Sequence, residues 1–549
     1  ILQSQPEDSF VSNRTRFTTN IVAEFGAIYN RVFAENHDVT LTAFVSGAKN
    51  TSEAFTATRN GATNDDVQVL NGATGTQFVS SGNDYTQTRI GLIGRLQYSY
   101  KGKYILSSSL RRDGSSKFPE ENRWGVFPSV ALAWNISDES FWKDYKGVVN
   151  NFRLRLSQGT VGVDRIGDYL FSAGISQDIN YASSTGAISL GATQENFVNR
   201  VLKWEETTQR NIGLDFGFLR NRLTLSAEYY HSDKTNMLFP VFIPNSAGGG
   251  NNATVVLNVG DMVNSGLELA LGFRGQVGNV RYRMNGTFST NQNEVTKISG
   301  DTKFQLTTDS GLVGRAPQQS RVTALAVGRE AAAFYLWRTD GILDTEVKLA
   351  EYQSKINRNA RMGDTKFIDQ NNDGVLDEAD RVYSGSGLPE YEIGYTFNAN
   401  YKNFDFSMNW YAALGQEIMN GFDAWAYGFG RHKDQIYQWS PQNQNSTIPT
   451  YRNDVTRHNN YLGYSDLWLE DGSYLRLRQV SLGYSFPKKS LEKMGLSRLR
   501  FYVRAQNPFT ITKYSGYNPE VGGSIQARGL DKNTGPISSQ YMLGVNINF

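Results

Sequence analysis

Gln540-Tyr541-Met542-Leu543-Gly544-Val545-Asn546-Ile547-Asn548-Phe549 are the last ten residues of the chain. Tyr541, Leu543, Val545, Ile547 and Phe549 fall on one face of an extended backbone. Gly544, Asn546 and Asn548 fall on the other, with Met542 its one apolar member. Strict alternation of this kind marks a strand with one apolar and one polar side. An exposed aromatic strand at the edge of a soluble sheet invites aggregation, whereas a closed barrel pairs its last strand and leaves no edge. The tail therefore predicts a membrane-spanning β-barrel, and its plainer alternative is the terminal strand of a soluble β-domain.

Composition agrees with a barrel. The 549 residues include 53 Gly, only 13 Pro and 13% aromatics, yet the mean hydropathy is −0.47. Many aromatics with a polar average suit an outward apolar band around a wet interior. No apolar run approaches the ~18 residues of a transmembrane helix, and alternation hides spanning strands from a hydropathy scan. The net charge of +2 with scattered basic residues gives no case for nucleic acid. Cysteine is absent, which excludes disulfides and thiolate metal sites. The chain begins at Ile1 without a leader pattern, so a mature chain or a fragment is expected.

Working back from the tail, the same alternation recurs. Ile212, Leu214, Phe216 and Phe218 alternate with Gly213, Asp215 and Gly217. Leu223, Leu225, Ala227 and Tyr229 alternate with Thr224, Ser226 and Glu228. Few residues join the two runs, as in a hairpin. Phe404, Phe406, Met408 and Trp410 oppose Asp405, Ser407 and Asn409. A first hairpin is expected over Phe17 to Tyr29 and His37 to Ser46, with a polar loop to about Asp84. Alternation fades between about Gly300 and Pro389, read as a long extramembrane insertion, and again from about Gly415 to Asp471. Roughly sixteen strands result, joined by short turns on one side and long loops on the other, the latter expected to face outside.

Short motifs spread along the chain add a family. Arg112-Asp113-Gly114-Ser115-Ser116-Lys117-Phe118, then Arg123-Trp124-Gly125-Val126-Phe127-Pro128-Ser129, resemble the SusC/RagA-like TonB-dependent transporters of Bacteroidetes. So do Trp204-Glu205 ahead of Asn211-Ile212-Gly213-Leu214-Asp215, Asn264-Ser265-Gly266-Leu267-Glu268, and Gly363-Asp364 before Asp369 to Gly374. Asp471-Gly472-Ser473-Tyr474-Leu475-Arg476-Leu477 and Gln506-Asn507-Pro508-Phe509-Thr510 complete the set. The resemblance implies an outer-membrane barrel of about 22 strands, plugged by an N-terminal domain and energised through TonB. It also implies a SusD-like surface lipoprotein acting as a lid. Against that pattern residues 1–549 read as the C-terminal barrel portion, without plug or signal peptide. The implied activity is import of oligomeric nutrients, glycan fragments or peptides, with no covalent catalysis. A non-transporting scaffold or adhesin, and a passive porin, remain the alternatives.

The chemistry-bearing residues are few. His37, His231, His432 and His458 lack metal-ligand spacing. Neighbouring acids such as Glu120-Glu121 and Glu205-Glu206 read as solvated charges, because adjacent strand residues point to opposite faces. Asp369-Gln370-Asn371-Asn372-Asp373-Gly374-Val375-Leu376-Asp377-Glu378-Ala379-Asp380 is different. Side-chain oxygens at loop positions 1, 3, 5, 9 and 12, with Gly at 6, match calcium-loop spacing. Asp369, Asn371, Asp373, Asp377 and Asp380, with the Val375 carbonyl, are the expected ligands of one structural calcium ion. An Asx-rich turn is the alternative. In the loop Gly421 to Gly430, Trp425 and Tyr427 are candidate ligand-stacking rings, weighed against packing within the loop or against the lid.

Overall fold

The computed structural model describes residues 9–62, 66–176, 181–182, 188–189, 191, 193–194, 197–242, 254–300, 302–307, 312, 321–454, 458–492, 495–524, 527–532 and 535–549. The leader reading at Ile1 and parts of the insertion, 308–311 and 313–320, lie outside the described residues.

A 16-stranded sheet dominates. Its strands are β1 (Phe10–Phe33), β2 (His37–Asn60), β3 (Gln77–Tyr100), β4 (Tyr104–Ser115), β5 (Trp124–Asn135), β6 (Val149–Val163), β7 (Glu205–Phe218) and β8 (Leu223–Phe242). They continue with β9 (Thr254–Val277), β10 (Val280–Thr290), β11 (Gln292–Lys297), β12 (Tyr391–Tyr401), β13 (Phe404–Leu414), β14 (Tyr474–Ser485), β15 (Arg498–Thr512) and β16 (Gln540–Asn548). Spatial order follows chain order, except that β11 folds back onto β9. The fold is an antiparallel barrel wall, and no helix among the described residues is long and apolar enough to cross a membrane.

Connections fall into tight turns and longer loops. Tight turns join β1 to β2, β3 to β4, β7 to β8, β9 to β10 and β12 to β13. At the first two, Ala34 with Glu35, and Lys101 with Gly102, adopt positive φ. That is the geometry of primed turns, whose twist matches that of paired strands. The remaining connections are longer, apart from the single residue between β10 and β11, and the longest is the stretch between β11 and β12.

Register shows why the apolar residues alternate. Leu543 pairs with Val503, Val503 with Leu482, and Leu482 with Phe406, forming one apolar row across four strands. Leu543 is 86% exposed and Val503 and Leu482 about half. The next row holds Met542, Arg504, Ser481 and Ser407. A broad apolar face left outside a folded sheet is what lipid, not water, accommodates.

Two sequence boundaries need correction. The first hairpin spans Phe10–Phe33 and His37–Asn60, and β3 begins at Gln77, well inside the stretch read as a loop to Asp84. Thr, Ser and Asn carry β2 onward, because its backbone is paired to β1 and β3 along nearly its full length. Beyond the lipid no apolar face is required, so the periodic signal stops before the strand does.

Contacts group the chain into two compact units. The first comprises 1–134, 157–209 and 234–259. Its core is Phe118, Phe127, Leu202 and Trp204. The second comprises 135–156, 210–233 and 260–549. In it the long loops are themselves folded. Phe304–Leu306, Thr323–Ala326, Ala333–Leu336 and Val382–Ser386 form a four-stranded sheet. Helix α1 (Glu346–Lys355), capped by Thr345, buries Tyr352 beside Leu343 and Ala360. Helix α2 (Gly421–Gly428) follows the short strand Glu417–Asn420, which pairs with Leu469–Asp471 and, in parallel, with Leu530–Asp531. Leu336, Met419, Tyr461, Trp468 and Leu530 therefore meet in one core drawn from several loops.

Candidate functional site

The aromatic loop becomes α2. Asn420 starts it: its side-chain oxygen accepts the Asp423 N–H at 3.1 Å, while its amide donates to Glu470 at 2.8 Å and Ser515 at 3.1 Å. That one residue ties three loop segments together. Tyr427 stacks on His432 with ring centres 4.1 Å apart and also touches Tyr461 and Trp468. Its ring thus belongs to the loop core. Tyr461 donates to the Pro449 carbonyl at 2.5 Å, and burial pushes its phenol up to about 12. Trp425 is half-buried, against Phe429 at 5.1 Å and beneath the Arg431 guanidinium at 5.1 Å. Burial pushes the Asp423 carboxyl up, and the nearby His432 pulls it the other way.

The acidic loop keeps the turn chemistry its sequence announced. Gly374 has φ +82°, the left-handed backbone that position 6 requires. Asp369 accepts N–H groups from Asn372 at 2.7 Å and Gly374 at 2.8 Å. Asp373 accepts from Val375, and Asp377 from Ala379. Asp380 is fully buried and bridges the two ends of the loop, accepting from Gln370 and Asp377 at 2.8 Å each. Among the described residues no three His, Asp or Glu side chains converge into a metal-holding group. The carboxylates close the loop through backbone amides, and each retains acceptor capacity beyond those bonds.

Periodicity did not reveal the ionic struts. Arg155 of β6 is gripped by Asp215 of β7 at 2.8 Å and Glu228 of β8 at 2.7 Å. Arg476 of β14 is 1% exposed and reaches Glu520 at 2.7 Å, Asn518 at 2.8 Å and Thr510 at 2.8 Å. Arg478 takes the other oxygen of Glu520 at 2.7 Å. This fork fastens the loop after β15 to the wall. The available signal was charge on an otherwise alternating strand, at Arg476 and Arg478.

The family motifs meet in space. Trp204 packs on Phe118 at 4.8 Å and on Phe127 at 5.4 Å, and its indole N–H donates to the Arg123 carbonyl at 3.2 Å. Asp364 is fully buried and accepts from Arg452 at 2.5 Å and Asn460 at 2.9 Å. These residues hold loops rather than perform chemistry.

Wall, turns and folded loops define the class, an outer-membrane β-barrel of the receptor type. The profile described as "TonB dependent receptor-like, beta-barrel" matches residues 3–345, and the chain belongs to that family. It is 31% identical to TonB-dependent receptor P3 of Formosa agariphila over 97% of this chain and 53% of the relative. It is 31% identical to TonB-dependent receptor SusC of Bacteroides thetaiotaomicron over 84% of this chain and 44% of the relative. The solved structure of the RagAB peptide transporter shares the fold, with TM-score 0.80 and 22% identity over 98% of this chain and 56% of that one. The chain spans about half the length of the curated relatives it matches.

Proposed function

We propose that this chain is the barrel portion of a TonB-dependent importer that carries oligomeric nutrients, glycan fragments or peptides, across the outer membrane. Family membership carries the reading. The peptide transport named for the RagAB structure, which shares this fold, is consistent with it. The long loops face outside and receive a SusD-like lipoprotein lid. The loops after β11, β13 and β15 share one core, and Ile436, 78% exposed, with Tyr437, 62% exposed, on the loop after β13 support a partner surface there. Trp425 offers the ring for a ligand contact, since Tyr427 is committed to the loop core.

Deleting the gene of the full-length protein should abolish growth on the cognate oligomer, and so should inactivating TonB. Mild-detergent purification should recover a lipoprotein alongside. Uptake that survives collapse of the proton gradient would favour a porin. Unchanged uptake in the deletion strain would favour a scaffold.

A structural calcium ion in the loop Asp369 to Asp380 is a separate part of this reading. It is supported by the oxygen spacing, the left-handed Gly374 and the unused acceptor capacity of Asp369, Asn371, Asp373, Asp377 and Asp380. Extracellular sites of this kind bind at roughly 10⁻⁴–10⁻³ M. Millimolar calcium should protect the loop from proteolysis, and Asp373→Ala should remove that protection. No calcium effect on the unsubstituted protein rejects the site.

A further inference from the structure

The outward, apolar face of β4 and β5 carries one charge where the alternation calls for none. Cross-strand pairing puts Arg112 opposite Val126 and Gly114 opposite Trp124. On its other side Arg112 faces Leu92 of β3. Down the same face both strands stay uncharged to Tyr104 and Trp134, whose rings stack 6.2 Å apart.

The strand itself sets the height of that charge. β5 runs from Trp124 to Asn135, so Trp124 and Trp134 mark its two ends on one face. They stand ~33 Å apart along the strand. Tilt reduces this to ~25 Å, the height of an apolar band with aromatic girdles at both interfaces. Tyr104 and Trp134 lie at the rim of the tight β3–β4 turn, and Trp124 at the opposite rim, where the longer loops emerge. Arg112 sits one row inside the Trp124 rim.

The side chain is built into that rim. Its guanidinium lies 4.7 Å from the centre of the Trp124 ring, a cation–π contact. The indole lies across β4 over Gly114, where an added Cβ would come within 3.1 Å of the ring. Gly114 thus seats the ring, and the ring draws the guanidinium toward the rim. Among the described residues the Arg112 side chain has no hydrogen bond or ion pair. Arg111, on the inner face, is matched by Asp113 at 2.5 Å. Glu120 and Glu121 precede Trp124 in the chain, yet neither pairs with Arg112. A cation on a lipid-facing wall is costly unless it reaches the interface or meets an anion.

Charge complementarity names the occupant. What surrounds this rim is lipid, and the anion that lipid offers at headgroup depth is phosphate, which the guanidinium fork grips through paired hydrogen bonds. We propose that Arg112, seated on Trp124, binds the headgroup phosphate of an anionic outer-leaflet lipid against the outward face of β4 and β5. Lys49, exposed on the same face opposite Thr88, adds a second cation at this rim. The inference rests on the reading above that the long loops face outside.

The test uses the full-length protein, freed of lipid in detergent and titrated with phosphatidic acid or with phosphatidylcholine of the same chains. Mass spectra of the intact protein should show a first phosphatidic acid retained and phosphatidylcholine lost. Arg112→Gln should weaken retention about fivefold and Trp124→Leu about threefold, while Lys355→Gln on α1 leaves it unchanged. A variant too weak to survive detergent is read in the bilayer instead. Adding phosphatidic acid to phosphatidylcholine vesicles should raise the denaturant midpoint of the unsubstituted protein, and raise that of Arg112→Gln less. Equal retention of both lipids, undiminished retention by the variants, or displacement of the lipid by equimolar inorganic phosphate overturns the proposal. Long loops that protease reaches only from the periplasmic side would fail the outward reading and the leaflet assignment with it, while arginine-dependent retention would still stand.

Discussion

At the scale of single residues, Arg476 shows how a loop is fastened to the wall. A side chain 1% exposed keeps its charge because Glu520, Asn518 and Thr510 all accept from its fork. Arg476→Ala leaves Glu520 with Arg478 alone. The Glu520 side chain is 37% exposed and stays solvated, so the expected loss is modest, about 2 kcal/mol. The loss should be local: protease cleavage between residues 513 and 524 should accelerate while the barrel itself stays intact. Arg476→Lys should fall between the two, keeping the charge without the fork. Equal cleavage of all three proteins would show that Arg476 is not the fastening. Part of this residue scale was legible in the sequence. The motif holding Arg476 was visible, and so were Phe118 and Trp204, but not that the latter two stack. Their contact spans the whole stretch between β4 and β7, and periodicity reports only near neighbours in sequence.

At the scale of elements, alternation located the strands wherever one face meets lipid, as in β7, β8, β13 and β16. It failed in the outer half of β2, where Thr51, Ser52 and Thr56 are strand residues although no apolar alternation marks them, and Ser52 is itself fully buried. It was also silent on the loop folds, whose short strands depend on contacts between distant loops, such as Met419 opposite Leu530. His458 gives that loop body a pH dependence. Its Nε2–H donates to the Thr365 carbonyl at 3.0 Å, and its Nδ1 accepts from the Asn357 amide at 3.0 Å. Both bonds suit the neutral ring, and burial pushes the imidazole pKa down despite the nearby Asp364. A depressed folded value means that the folded state binds fewer protons than the unfolded one. The contribution is therefore present above the unfolded value of about 6.5 and is lost as pH falls through the lower folded value. Protection from hydrogen exchange around Thr365, taken relative to the intrinsic rate at each pH, should fall between neutral pH and about pH 5, and Asn357→Asp, which offers the imidazolium an anion, should blunt the change. A protection factor independent of pH in the unsubstituted protein would refute the role of His458.

At the scale of the whole molecule, one question separates a membrane wall from a soluble sheet: what touches the exposed apolar face. The row Leu543, Val503, Leu482, Phe406 crosses four strands, and Leu482 is 51% exposed within it. In water a charge at such a position would be nearly neutral for stability, because the side chain is already solvated. In a bilayer the same position faces the apolar band two residues in from the tight turn, since its partner Phe406 follows Phe404 at the start of β13, and an arginine there costs roughly 1–2 kcal/mol, between the interfacial and midplane values. Leu482→Arg in the full-length protein, unfolded by denaturant from lipid vesicles, should lose an amount of that order. Asn409→Arg, on the opposite, polar face of β13, should lose little, since Asn409 is exposed and spends its amide only on the Thr396 hydroxyl at 3.0 Å. The contrast between the two substitutions isolates the solvent on each face, because both introduce the same side chain into neighbouring strands. Equal small losses would mean that the apolar row is wet, and the barrel reading that began with the alternation at Tyr541 to Phe549 would fall with it.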